Sequence, residues 1–387
     1  MRSPTEVLTL SDPDTPFAVV DVAVSRRNID RLIHRLSRLG VPLRLHVKTA
    51  KCVNVANLVY GDTPGPITVS TLAEAEQFAD AGYTDITYAV GIDPHKLPRV
   101  LALLRRGVTL RVLLDSPEQA EAVRAAAADA GTAIPALIEV DCDGHRGGVT
   151  VDDPSLIEMA RALHLVGCFA GVLVHAGESY GEPTPAGKVF AAATERDVAV
   201  AAAETIRAEG IDVGTVSVGS TPTAHAAEDL TGVTEVRAGN FVFFDLFMAG
   251  IGVCTLDDLA LTVVSTVIGH RPEKGWILID GGWMAMSRDR GTAGQDLDQG
   301  YGVVADISGN VIPELIVSGA SQEHGILSTR DGSPLPDLPV GTRLRILPNH
   351  ACATAAQHRE YQIIDSDLDT FGATPRIRDS WNRGGGW

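Results

Sequence analysis

The sequence predicts a (β/α)8 TIM-like barrel followed by a mostly β C-terminal domain, and three observations carry that prediction. Short β-rich runs alternate with helically spaced segments through the first two-thirds of the chain. Counting them gives about eight strand–helix units in roughly 240 residues, the size of such a barrel. Beyond about residue 250 the pattern becomes strands joined by turns, with no long helical segment between them, which marks a separate domain.

The β-rich runs lie at 17–21 (FAVVD), 43–47 (LRLHV), 67–70 (ITVS), 85–90 (DITYAV), 109–114 (TLRVLL), 135–141 (PALIEVD), 169–174 (FAGVLV) and 213–218 (VGTVSV). The run at 135–141 is nearly all apolar or β-branched, as suits a strand covered on both faces. Helical spacing fills 25–39, 72–81, 116–130 and 188–209. Ser25, Ser116 and Asp153-Pro154 mark helix starts, and Gly40, Gly82, Gly107, Gly131 and Gly210 mark stops. A doubly wound sheet is the competing arrangement. Periodicity does not separate the two, but no G-x-G-x-x-G follows the first run. Later strands are expected in 259–270, 275–282, 341–350 and 359–366. The barrel is assigned to 15–250 and the β domain to 251–375, with residues 1–14 able to pack against it. Residues 376–387 are expected to form a mobile tail.

Composition narrows the function classes. The chain has 49 acidic and 32 basic residues, a formal charge of −17, and no basic cluster longer than two residues, as at Arg105-Arg106. Such a chain repels nucleic acid and anionic membranes. No run approaches the roughly 18–20 apolar residues of a membrane span. The N-terminus lacks the basic start and apolar stretch of a signal peptide. The five cysteines are scattered without a C-x-x-C pair, which indicates neither a disulfide framework nor a structural zinc module. A cytoplasmic enzyme is the expectation.

In a barrel of this type the chemistry sits at the C-terminal ends of the strands. Those ends read His46-Val47-Lys48-Thr49, Asp141 to Arg146, His175 to Tyr180, Gly219 to Thr223 and Arg237 to Asn240. Lys48, at the barrel mouth, is a candidate nucleophile, although a strand-end lysine is more often a solvated surface residue. Ser220-Thr221 and Gly239-Asn240 can offer backbone N–H groups and hydroxyls to a phosphate, with ordinary turn chemistry as the alternative. A lysine and a phosphate cradle together suggest pyridoxal 5'-phosphate. In the β domain His350 and Cys352 stand two apart, so a strand would aim both to one side. That pair suits Zn²⁺, with Mn²⁺ or another divalent ion as alternatives. An H-x-C by itself is usually structural. Glu323-His324 is either a further contributor or an exposed turn.

With these residues assembled, the sequence resembles the D-serine dehydratase and D-threonine aldolase family, pyridoxal-phosphate enzymes with an alanine-racemase-like barrel. The resemblance runs from Thr15-Pro16 to Thr354. Its motifs are HVKTAK (46–51), VDCDGHRGGV (140–149), VHAGESY (174–180), VGSTPT (218–223), VRAGNFVFFD (236–245), IDGGW (279–283), EHG (323–325) and PNHACAT (348–354). It implies that Lys48 is the Schiff-base lysine and the base at Cα, that Arg146 reaches the cofactor's phenolic oxygen, and that His175 packs on its ring. Tyr180 is implied near the ring nitrogen, and Ser220, Thr221, Gly239 and Asn240 at the phosphate. His350 and Cys352 resemble the metal pair of the dehydratase branch, because the aldolase branch is expected to carry a carboxylate at the second position. Two departures stand out: the family pattern is closer to R-P-H-x-K-T-H-K, and here Leu45 replaces the proline and Ala50 the second histidine.

The resemblance therefore implies a homodimeric lyase that dehydrates D-serine, D-threonine or D-threo-3-hydroxyaspartate to a 2-oxo acid and ammonia. Retro-aldol cleavage to glycine and an aldehyde is the nearest rival, and an amino acid racemase a further one. A non-catalytic pyridoxal-phosphate carrier would lack the β domain. A metal hydrolase without organic cofactor is the last alternative; a visible absorption band lost on Lys48→Ala would exclude it.

Overall fold

Every β-rich run forms a strand, but the first does not join the barrel. The computed structural model describes residues 8–370 and 372–387; residues 1–7, part of the N-terminal segment able to pack against the β domain, lie outside them. The first run is β1 (Phe17–Asp21). It pairs antiparallel with Leu261–Val264 and parallel with Tyr361–Ile364. The barrel strands are β2 (Leu43–His46), β3 (Ile67–Val69), β4 (Asp85–Gly91), β5 (Thr109–Leu114), β6 (Ala136–Val140), β7 (Phe169–Val174), β8 (Thr215–Val218) and β9 (Glu235–Ala238). They close in sequence order, with β9 parallel to β2 through Leu43–Val236 and Leu45–Ala238. The predicted (β/α)8 class holds, while the strand count moves along by one. In the sequence β9 shows only as a short run at 233–236 before Arg237-Ala238-Gly239-Asn240, because it alternates charge with small residues, for a reason given below.

Helix signals mostly work as expected. Ser116 Oγ accepts from Gln119 N, and Asp153 Oδ1 from Ser155 N. Ser25 is an exception: the helix begins at Val22, where Asp21 Oδ1 accepts the N–H of Ala23 at 3.0 Å.

Two compact units result. One holds Asp30–Gly239 with Gly384–Trp387; the other holds Asn240–Arg383 with the segment ending at Ile29. The second unit contains β10 (Leu261–Arg271), β11 (Trp276–Ile279), β12 (Gly302–Asp306), β13 (Val311–Ala320), β14 (Gly325–Thr329), β15 (Arg343–Pro348), β16 (Glu360–Ile364) and β17 (Asp379–Asn382). The order β11-β14-β13-β12-β15-β10 is closed by pairing of β10 with β11, which makes a six-stranded ring. Its interior is apolar, with Val263, Val267, Ile279, Val304, Val317 and Ile346 fully buried. Leu10 packs with Val19, Val264 and Ile364 in a satellite cluster. The tail is ordered rather than mobile. β17 pairs antiparallel with β16, and within the barrel unit Gly384 N donates to Lys51 O at 2.7 Å.

The barrel interior is not apolar throughout. Arg44 is 3% exposed and donates to Glu235 Oε2 at 2.7 Å and to Asp85 Oδ1 at 2.9 Å. Asp85 also accepts from Arg111, and Glu235 accepts from Ser217 Oγ at 2.6 Å. Arg237 continues the chain, donating to Ser217 Oγ at 2.7 Å and to Val174 O at 2.6 Å. The inward side chains of β9 are thus Glu235 and Arg237, which explains its polar sequence. Burial works against the charge on Arg44, and Glu235 and Asp85 overcome it to raise its pKa. Arg44→Met would leave the buried Glu235 without its cation, while Asp85 keeps Arg111. Chemical denaturation should show a loss of about 3–5 kcal/mol, and a loss below about 1 kcal/mol would mean that the ladder is not a supporting element.

Candidate active site

Lys48 follows β2 in the turn 47–50, half-buried. The turn is pinned by Lys51 N donating to Val47 O at 2.7 Å, and Lys48 N donates to His46 Nδ1 at 3.4 Å. Lys51 is held elsewhere, its Nζ 2.8 Å from Glu74. The two departures from the family pattern are both buried. Leu45 has an N–H where the pattern has proline, and it donates to Tyr60 Oη at 3.0 Å while Tyr60 donates to Pro66 O. Ala50 fills a fully packed position.

His175 ends β7. Its Nδ1 lies 2.8 Å from Gly219 O; a carbonyl can only accept, so Nδ1 carries the proton and Nε2 is bare. Burial lowers the His175 pKa most, the Gly219 bond opposes it, and Arg146, Arg237 and Lys48 lower it further, to about 3. The unfolded imidazole titrates near 6.5. Between those values the unfolded chain binds a proton that the folded chain does not. This contribution to stability is therefore complete above about pH 6.5 and declines as pH falls toward 3, by up to about 1.4 kcal/mol per unit. Urea titrations across that range should show a shallower decline in His175→Asn than in wild type. Equal slopes would contradict the assignment.

The neighbouring residues assemble around this histidine. The Tyr180 ring lies 6.2 Å from that of His175. Arg146, mostly exposed, sits 3.6 Å from Glu139, whose pKa burial raises against the pull of Arg146. Its loop is latched to the Tyr180 loop by His145 Nδ1, 2.7 Å from Glu178, and by Glu178 N donating to Asp143. Gly177 leaves room for the His145 ring, which a Cβ would meet at 2.1 Å.

The phosphate candidates differ in how far their atoms are committed. Ser220 caps the short helix Thr221–Ala226, accepting from Thr223 N and contacting Ser179 Oγ at 2.9 Å. Thr221 Oγ1 is buried with no hydrogen-bond partner, a donor aimed at nothing in the protein. Gly239 passes so close to β2 that a Cβ would sit 2.3 Å from His46 O. In the other unit Asn240 donates its Nδ2 to Asp245 at 2.7 Å, and its Oδ1 is buried without a partner. An unsatisfied buried hydroxyl beside a backbone that only glycine permits fits a phosphate.

His350 and Cys352 come together, though not as strand neighbours. β15 ends at Pro348, His350 precedes the helical turn Ala351–Ala355, and Cys352 lies inside that turn. His350 Nδ1 is 2.6 Å from Asp289 Oδ2. Burial lowers the imidazole pKa, but the bonds to Asp289 and Cys352 override it and raise it to about 11. A carboxylate behind one ring nitrogen and a thiol beside the ring could hold a divalent cation, with Asp289 as the outer support of the histidine. Among the described residues no group of three or more His, Cys, Asp and Glu side chains gathers as metal ligands, so a cation here would have two protein ligands and open positions. Glu323 and His324 are exposed at the β13–β14 turn.

Glu195 escaped the sequence reading. It is fully buried on the helix Pro185–Ala208, and one oxygen accepts from Ala176 N at 2.9 Å and Gly219 N at 3.0 Å. It ties together the two strand ends that carry His175 and Ser220. Its signal was present: Ala192, Glu195, Ala199 and Ala202 share one face at helical spacing.

Two family models cover this architecture, alanine racemase, N-terminal domain, over residues 20–246 and "Putative serine dehydratase domain" over residues 260–364. The chain is 52% identical over 385 residues to a D-threo-3-hydroxyaspartate dehydratase of Delftia sp. (strain HT23), covering 98% of this chain and 99% of that one. The chain belongs to the D-serine dehydratase and D-threonine aldolase family. Another member of the family, a D-serine dehydratase of Schizosaccharomyces pombe, is 31% identical over 98% of this chain and 93% of its own. The solved Delftia structure superposes with a TM-score of 0.94 at 51% identity, covering 98% of this chain and 100% of that one. Two further solved structures, each of a D-threo-3-hydroxyaspartate dehydratase, are a histidine-to-alanine mutant and a cysteine-to-alanine mutant in the metal-free form. The mutated histidine and cysteine stand two positions apart, the spacing of His350 and Cys352. The lyase class of the sequence reading is that of these named relatives.

Proposed function

We propose that this chain is a pyridoxal-phosphate- and metal-dependent lyase that removes water from a D-3-hydroxy amino acid, with D-threo-3-hydroxyaspartate the first substrate to test. The observation that carries the reading is the thiol and imidazole of Cys352 and His350 backed by Asp289, in a chain 52% identical to a dehydratase named for that substrate. Lys48 would hold the cofactor, Thr221 Oγ1 and the Gly239-Asn240 backbone its phosphate, and Arg146, His175 and Tyr180 its ring. When bound, pyridoxal phosphate supplies an electron sink at Cα, and the divalent ion, Zn²⁺ first among the candidates, supplies a Lewis acid for the β-hydroxyl.

The residues then divide the work. Lys48 Nζ takes the proton from Cα. His175, neutral with a bare Nε2, adds no charge beside the reacting centre. Asp289 fixes Nδ1 of His350, leaving Nε2 for the cation, and Cys352 supplies the thiolate. Departure of the β-hydroxyl as water, followed by addition of a water that releases the nitrogen, gives a 2-oxo acid and ammonia. The homodimer and cytoplasmic location implied by the resemblance belong to the same proposal; sedimentation equilibrium tests the first.

A panel of D- and L-forms of serine, threonine and threo-3-hydroxyaspartate tests the reaction. Oxo acid and ammonia from the D-forms alone is the expected result. Glycine and an aldehyde would make the chain an aldolase, and inversion without cleavage a racemase; either outcome overturns dehydration.

A further inference from the structure

Asp245 belongs to no role described so far, and its two oxygens do different things. Oδ1 accepts from Met248 N at 2.9 Å and caps the helix Leu246–Gly250. Capping needs only that one oxygen, and serine or asparagine would supply it as well. Oδ2 is free of the helix and accepts two bonds, from Asn240 Nδ2 at 2.7 Å and from Ala351 N at 2.8 Å. The first donor is the residue assigned to the phosphate, and the second lies between His350 and Cys352. The carboxyl is fully buried.

The backbone around it is arranged for this bridge. Phe244, just before Asp245, is a buried bulky residue at φ +49°, a left-handed conformation that such a side chain adopts only where the surroundings impose it. The metal segment is held on its other side as well. Phe247 N donates to Asn349 O at 3.1 Å, and Asn349 Nδ2 donates to Thr292 Oγ1 at 2.6 Å and Gly300 O at 2.8 Å. Asn349 is therefore fixed to the β-domain framework, while Ala351 N is fixed to Asp245.

We infer that Asp245 is a positioning residue that couples Asn240 to the His350–Cys352 segment, so that occupation of the cofactor site and binding of the metal reinforce each other. This rests on the site assignments proposed above. Whatever draws on Asn240 shifts the amide that shares Oδ2 with Ala351 N, and the metal ligands on either side of Ala351 move with it. Coupling between two ligands is reciprocal, so the effect can be read at the metal alone.

The test measures Zn²⁺ affinity by chelator competition on the full-length protein, first stripped of cofactor and then saturated with pyridoxal phosphate. Wild type is expected to bind Zn²⁺ about tenfold more tightly when saturated, a typical size for such coupling. Asp245→Ser keeps the cap and deletes Oδ2; its two affinities should be equal. Asn240→Ala removes only one donor and should also abolish the difference, which keeps the inference testable if Asp245→Ser does not fold. A merely structural role would lower the melting temperature of both variants and leave the tenfold ratio intact, which would overturn the coupling. Equal affinities in wild type would overturn it too while sparing the site assignments. A wild type that binds no Zn²⁺ in either form would overturn the metal assignment itself.

Discussion

Lys48→Ala is expected to lose the visible absorbance that pyridoxal phosphate confers and to lower turnover by about 10⁴-fold or more, since both attachment and proton transfer at Cα are assigned to one amine. The structure makes the expectation specific to this lysine. Lys51 lies in the same turn, but its ammonium is tied to Glu74 at 2.8 Å and its side chain is 14% exposed. Borohydride reduction followed by peptide mass analysis should place the pyridoxyl group on Lys48 alone. An adduct on Lys51 in wild type, or an active Lys48→Ala protein with its band intact, would defeat the assignment. The melting temperature should change little, because Lys48 makes no ion pair among those of the described residues.

Removing the metal should lower dehydration by about 10³-fold, the several kcal/mol that a Lewis acid contributes to a departing hydroxyl. Cys352→Ala should lose the ion outright. Asp289→Asn should bind it about 10–100-fold more weakly, because the residue orients His350 without touching the cation. Metal content after gel filtration and chelator competition on the three proteins distinguish these effects. Full turnover by chelator-stripped enzyme would remove the metal from the reaction. Equal metal affinity in wild type and Asp289→Asn would remove Asp289 from the site.

Much of this site was legible because its residues stand at strand ends, which a β-rich run followed by polar residues announces. Lys48, His175, Ser220 and Gly239 all follow such runs. Membership of a sheet was less legible. FAVVD at 17–21 is an apolar run like those of the barrel, and only its partners at 261–264 and 361–364 place it in the β domain. The converse holds for β9, whose charges face inward to a buried ion ladder and so break the apolar pattern of a barrel strand. Asp289 acts on His350 from 61 positions away, with no local motif to mark it. His350 and Cys352 were paired on a strand geometry that the chain does not use; a helical turn brings them together instead. Asp245 stood within a quoted motif, yet its role depends on Ala351, 106 positions later.

The ladder through the barrel also bears on how this sequence can change over generations. Arg44, Asp85, Glu235, Ser217 and Arg237 are linked end to end, so each holds its charge or hydroxyl only while its neighbours hold theirs. Replacing Arg44 or Glu235 alone leaves its buried partner without its closest counter-charge, whereas replacing a matched set by apolar residues of similar volume can be neutral. Single mutational steps away from this core therefore pass through destabilised intermediates. Drift at the strand-end loops is open residue by residue, but the axis of the barrel is inherited as one block.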